Sequence, residues 1–88
     1  MVSAKATVIN PQGMHMRPAQ IIATKLKEYP CSVTIKNGAK SVNAKSIMTI
    51  MTAAIKCGSE IEIICDGEKE AEALEMLVNL VNSGLGDL

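Results

Sequence analysis

The sequence predicts an α+β fold, a two-layer open-faced sandwich in which three helices cover one face of a four-stranded antiparallel sheet in the order β-α-β-β-α-β-α. Three observations predict it. Apolar and polar residues alternate with a period of two in short segments, the mark of half-buried strands. Other segments carry apolar residues at i, i+3, i+4 and i+7, the mark of amphipathic helices. Proline and glycine turn signals separate these segments without a linker, repeat or low-complexity tract, so residues 1–88 are expected to form one domain.

In the segment Val2 to Ile9, Val2, Ala4, Ala6 and Val8 share one face and Ser3, Lys5 and Thr7 the other, which predicts the first strand. The turn Asn10-Pro11-Gln12-Gly13 leads into the first helix. There Ala19, Ile22, Ala23 and Leu26 form the apolar stripe, and Gln20, Thr24 and Lys27 lie on the wet face. Pro30 stops helical continuation, and Cys31, Val33 and Ile35 then alternate with Ser32, Thr34 and Lys36 as strand two. Asn37-Gly38 predicts a hairpin with a type I′ turn, which wants positive φ at both central residues, and a returning strand through 40–43.

Ser46 is placed to N-cap a second helix over 47–55, with Gly58 just beyond it. Its apolar positions, 47, 48, 50, 51, 54 and 55, spread too widely for one buried stripe, so some must face water. Ile61, Ile63 and Cys65 mark strand four, and Asp66-Gly67 turns the chain. Leu74, Leu77, Val78 and Val81 are the stripe of the third helix, Glu68, Glu70 and Glu72 suit its positive end, and Gly84 closes it.

A chain of 88 residues buries only about 60 to 65% of its unfolded surface, so the core is modest. With one Tyr, no Trp and no Phe, that core must rest on Ile, Val, Leu, Ala and Met. Nine basic and nine acidic side chains cancel, so no global field recruits nucleic acid or an anionic membrane. No apolar run is long enough for a span or a signal peptide, and a cytoplasmic location is expected. Cys31, Cys57 and Cys65 are odd in number and lack C-x-x-C spacing, which predicts free thiols, Cys57 being the one to watch for oxidation.

The chemistry concentrates in Gly13-Met14-His15-Met16-Arg17-Pro18-Ala19, which holds the single histidine and opens the first helix. Taken alone, such a histidine is most often a surface or capping residue. Its neighbours change the reading. The first backbone N–H groups of a helix lack intrahelical partners and carry partial positive charge, so anions settle there. Arg17 adds a permanent cation whose planar fork matches phosphate oxygens. Pro18 costs nothing in the first turn, and Gly13 lets the chain bend tightly before the histidine. A neutral ring nitrogen of His15 can attack phosphorus, and the amides and guanidinium then favour the dianionic product.

These residues resemble HPr, the histidine-containing phosphocarrier family of the bacterial phosphoenolpyruvate-dependent sugar phosphotransferase system. The resemblance is carried by the segment from Gly13 to Ala19, by Asn37-Gly38-Ala39-Lys40-Ser41-Val42 leading to Lys45-Ser46-Ile47-Met48, and by Ser83-Gly84-Leu85-Gly86. It implies that phosphorylated enzyme I passes a phosphoryl group to Nδ1 of His15, which hands it to the IIA domain of a sugar permease. The chain would be a relay rather than an enzyme, with Arg17 steadying the phosphoryl oxygens and no cofactor. Ser46 aligns with the serine that HPr kinase/phosphorylase modifies in carbon catabolite repression, which implies a catabolite-control transcription factor as a further partner.

The surplus apolar surface of the second helix then becomes a docking patch of Ile47, Met48 and Met51 beside His15. Met16, Gln20 and Thr24 extend it along the first helix, and Lys27 and Lys45 frame it. Met16 departs from the smaller residue usual in the family and bears on partner choice. A monomer is expected for a chain that shows one face to successive partners. Three rivals are weaker. A Cu(I) module at Met14-His15-Met16 conflicts with Arg17 and the helix N-terminus, both of which repel a cation. A phosphohistidine hydrolase or mutase needs a general acid and further cations. A regulatory relay within the same family, such as a nitrogen-related one, is disfavoured by the Ser46 motif.

Overall fold

The computed structural model describes residues 1–9, 11 and 13–85. Its elements are β1 (Val2–Thr7), α1 (Met16–Leu26), β2 (Ser32–Asn37), β3 (Lys40–Asn43), α2 (Ile47–Thr52), β4 (Glu60–Asp66) and α3 (Glu70–Asn82). The four strands form one antiparallel sheet in the order β1-β4-β2-β3, which places the last strand of the sequence between the first two. Register follows the alternation: Ala6 pairs with Ile61, and Ile35 with Ile63, so the inward residues of three strands share one face. Ile22, Leu26, Ile50, Leu77 and Val81 meet that face, and all of these side chains lie in a single core.

The uncovered face is polar. Lys5 stands opposite Glu62, which stands opposite Lys36, a cross-strand row of alternating charge worth roughly 0.2–1 kcal/mol per pair. The order and layering match the fold expected from the sequence.

Four local expectations are corrected. The hairpin pairs Asn37 with Lys40, so its two central residues are Gly38 and Ala39, and only Gly38 takes positive φ, at 63°. That is the pattern of a type II′ turn, not type I′. β1 ends at Thr7 rather than Ile9, although Val8 still exchanges bonds with Ser59 and Gly58. On α3 the buried stripe is Ala73, Leu77 and Val81, while Leu74 and Val78 are half-buried.

α2 ends at Thr52 rather than Ile55. Ala54 adopts φ +52°, which no helix continues through. The Nζ of Lys40 and the Nδ2 of Asn37 donate to the Thr52 and Ala53 carbonyls, each at 3.1 Å, satisfying acceptors the helix leaves open. The turn residues Asn10 and Gln12 lie outside the described residues, as does Gly86 of the C-terminal motif. Gly84 closes α3 as expected, with φ +90° and the Leu85 amide donating to the Leu80 carbonyl at 2.9 Å.

Candidate functional site

The loop before α1 is held by backbone contact with the segment after α2. Met14 N–H donates to the Ile55 carbonyl at 2.9 Å. Gly13, at φ +68°, lies so close that a Cβ would stand 2.6 Å from that oxygen and 2.8 Å from the Lys56 Cα. Glycine is required there for two separate reasons, the left-handed backbone and the absence of space. Met14 turns into the core with 6% exposure, which removes it from the soft-donor set that a Cu(I) reading needs.

His15 is the N-cap of α1. Its backbone is extended, its carbonyl accepts the first intrahelical bond from Ala19 at 3.1 Å, and its side chain makes no cap bond. Its half-buried ring is therefore not used to cap the helix. The Met16 and Arg17 amides sit in the first turn, where no intrahelical acceptor exists for them, and Pro18 has no N–H to leave open. Arg17 is exposed, and among the described residues its guanidinium is in no ion pair. An imidazole, two amides without intrahelical acceptors and a guanidinium in no ion pair among the described residues thus occupy one helical turn.

The expected docking residues fall into three groups. Met16 is 65% exposed, and Gln20 and Thr24 continue one exposed stripe along α1. α2 packs against α1, buries Ile50 and leaves Met48 78% and Met51 38% exposed, with Ile47 half-buried. Lys27 and Lys45 do not flank His15. Lys27 is the C-cap of α1, roughly 18 Å along the helix from the N-cap. Lys45 donates through Nζ to the Tyr29 carbonyl at 2.5 Å, so its ammonium is tied to that same far end. Ser46 is the N-cap of α2, where its Oγ accepts from the Thr49 amide at 3.4 Å.

Total charge conceals one feature. Eight of the nine basic residues precede Glu60, and eight of the nine acidic residues stand at or beyond it. The α1–α2 side, with Arg17, Lys25, Lys27, Lys45 and Lys56, is therefore basic, while β4 and α3 are acidic. The order of charges along the chain was the available signal.

Comparison with known proteins agrees with this geometry. The family model described as PTS HPr component phosphorylation site matches residues 2–83. The HPr-like protein Crh of Bacillus subtilis is 38% identical over 92% of this chain and 95% of its own length. The phosphocarrier protein HPr of Lysinibacillus sphaericus is 35% identical over 92% of each chain. The crystal structure of HPr-C-His from Thermoanaerobacter tengcongensis superposes with a TM-score of 0.94 at 31% identity, covering 100% of this chain and 99% of that one. A histidine that opens a helix in this sheet order, matched over nearly the whole chain, places the protein in the HPr family of phosphocarriers of the phosphotransferase system.

Proposed function

We propose that His15 is the phosphoryl acceptor of this carrier. Phosphorylated enzyme I presents its phosphoryl group, Nδ1 of His15 attacks phosphorus, and the N–P bond forms as the bond to the enzyme I side chain breaks. A IIA domain then takes the group in the same way, so the chain is a cytoplasmic relay without turnover of its own. The observation that carries this reading is the placement of His15 as an N-cap whose ring is not spent on capping, beside the open amides of the first turn and Arg17. Those donors match a dianion developing on the ring.

The docking face is assigned to Met16, Gln20 and Thr24 along α1 and Ile47, Met48 and Met51 on α2; flexible thioethers adapt to several partners. Lys27 and Lys45 extend that face toward the far end of α1, where they meet the periphery of a partner rather than the phosphoryl group. The chain presents this face as a monomer, which sedimentation of the phosphorylated protein checks directly.

Ser46 is assigned the regulatory role. Phosphorylation by HPr kinase/phosphorylase leaves α2 in place, since a phosphate at an N-cap is compatible with the helix. It adds negative charge to the face that IIA and enzyme I use, and creates a new feature for a catabolite-control transcription factor to read.

The test is incubation with phosphoenolpyruvate and enzyme I, read by intact mass and acid lability. One acid-labile phosphoryl group is expected in the wild type and none in His15→Ala. Arg17→Ala is expected to fold normally and accept phosphate on the order of 10- to 100-fold more slowly. Ser46→Asp is expected to retain the fold and slow acceptance. A folded His15→Ala protein that still gains the label removes His15 from the mechanism.

A further inference from the structure

Two of the three cysteines, 34 positions apart in sequence, come together in the folded chain. Cys65 is on β4 and faces the core with 0% exposure; Cys31, at 1%, immediately precedes β2. Register sets their relation. Val33 pairs with Cys65 and Ser32 with Asp66, so continuing the ladder puts Cys31 opposite Gly67 and diagonal to Cys65 on the same inward face. Gly67 brings the two chains close there: a Cβ on it would stand 3.1 Å from the Cys31 Cα. With no side chain on Gly67 to separate them, the two buried thiols are diagonal neighbours on that face.

We propose that Cys31 and Cys65 are a redox-sensitive dithiol, which hydroperoxides convert to an intramolecular disulfide. The Cys31 thiolate attacks a peroxide oxygen, the O–O bond breaks, and Cys31 becomes a sulfenic acid with release of hydroxide. The Cys65 sulfur then displaces that oxygen as the S–S bond forms, and water leaves. In sum, two thiols and one hydrogen peroxide give one disulfide and two waters.

Cys31 is the attacking residue because it lies outside the ladder, in the stretch between α1 and β2, where a local opening exposes it without unzipping the sheet. Cys65 sits within the ladder, and burial pushes its thiol up to about 11, which makes it the poorer first nucleophile and keeps its attack on the sulfenic acid slow in the closed state. Diagonal Cα atoms stand about 7–8 Å apart in a regular ladder, just beyond the reach of a disulfide. The bond therefore needs a small inward shift, and Cys31, not held by a strand partner, is the residue able to make it. The closed loop would contain β2, β3 and α2 and leave His15 outside.

The experiment uses the full chain carrying Cys57→Ala, which removes the exposed thiol, treated with hydrogen peroxide under native conditions. The expected product is a monomer lighter by two hydrogen atoms, whose non-reducing digest links the peptides holding Cys31 and Cys65. Its Tm is expected to rise on the order of 10 °C and to return on reduction. The same digest of peroxide-treated wild type gives the readout without any substitution. Cys31 and Cys65 recovered as free, alkylatable thiols after exposure that fully oxidises Cys57 in the wild type, or found only as sulfinic acids, would overturn the proposal.

Discussion

Met14 and Ile55 are joined by a backbone hydrogen bond of 2.9 Å, and that bond places the N-cap of α1. It ties the loop bearing His15 to the segment leaving α2, so the histidine and the Met48–Met51 surface are held by one backbone connection. The preceding residue, Gly13, is packed against the same carbonyl.

Gly13→Ala is therefore expected to damage both stability and transfer. The new methyl meets the Ile55 carbonyl and the Lys56 Cα, both backbone atoms that cannot rotate away, at a φ that already disfavours alanine. A loss of at least about 2 kcal/mol is expected in denaturant unfolding. Phosphoryl acceptance at His15, measured on the fraction that remains folded, is expected to fall at least tenfold as the loop shifts. An unchanged acceptance rate would show that the Met14–Ile55 connection does not set the histidine's position.

The opposite outcome is expected at Ala54. This exposed residue holds φ +52° to turn the chain out of α2, a conformation that costs a residue with a Cβ roughly 1–2 kcal/mol. Glycine relieves that strain and gives back part of the gain through its freer unfolded state. Ala54→Gly is expected to stabilise by about 1 kcal/mol, a rise of a few degrees in Tm, with acceptance by His15 unchanged.

These two positions show what was legible in the sequence and what was not. Alternation at Val33, Ile35, Ile61 and Ile63 decided which face of the sheet is buried, because a strand's period of two leaves no second choice. The Gly13 and Pro18 pair likewise located the start of α1, since both residue types have backbone requirements that act locally. Properties set by distant residues escaped. α2 stops early because of Ala54 and because Asn37 and Lys40 reach across from the hairpin to its last carbonyls. Lys45 reaches back through its ammonium to the Tyr29 carbonyl, 16 positions away, a contact that linear spacing does not show. The proximity of Cys31 and Cys65 depends on strand register, which linear spacing does not reveal.

The segregation of charge leads to a prediction about rates. With basic residues gathered on the α1–α2 side and acidic ones on β4 and α3, the chain carries a strong charge asymmetry despite a net charge of zero. Such an asymmetry steers the encounter with any partner whose docking face is acidic, and steering is screened by salt. Raising ionic strength from about 0.02 M to about 0.5 M is expected to slow the second-order transfer from enzyme I roughly tenfold or more. The chemical step inside the preformed complex is expected to change little. Charge reversal at Lys25, on α1 and away from the His15 turn, is expected to flatten the salt dependence, whereas reversal at Glu72 on α3 should leave it nearly intact.

A last prediction concerns alkaline pH and uses the reduced protein. Burial lifts the Cys65 thiol from its ordinary value of 9.0 to about 11, with the neighbouring Cys31 adding to the shift. The folded state therefore holds this proton more tightly than the unfolded state. Its contribution is fully present below pH 9, where both states are protonated, and is lost as pH rises toward 11, because only the unfolded state ionises freely in that window. The loss amounts to roughly 2–3 kcal/mol across the interval. Denaturant unfolding in the presence of reductant is expected to show stability falling between pH 9 and 11. In Cys65→Ala, less stable at pH 7 because of the small cavity, the alkaline fall should be shallower by about that amount. Parallel curves for the two proteins would mean that Cys65 ionises as easily in the folded chain as in the unfolded one.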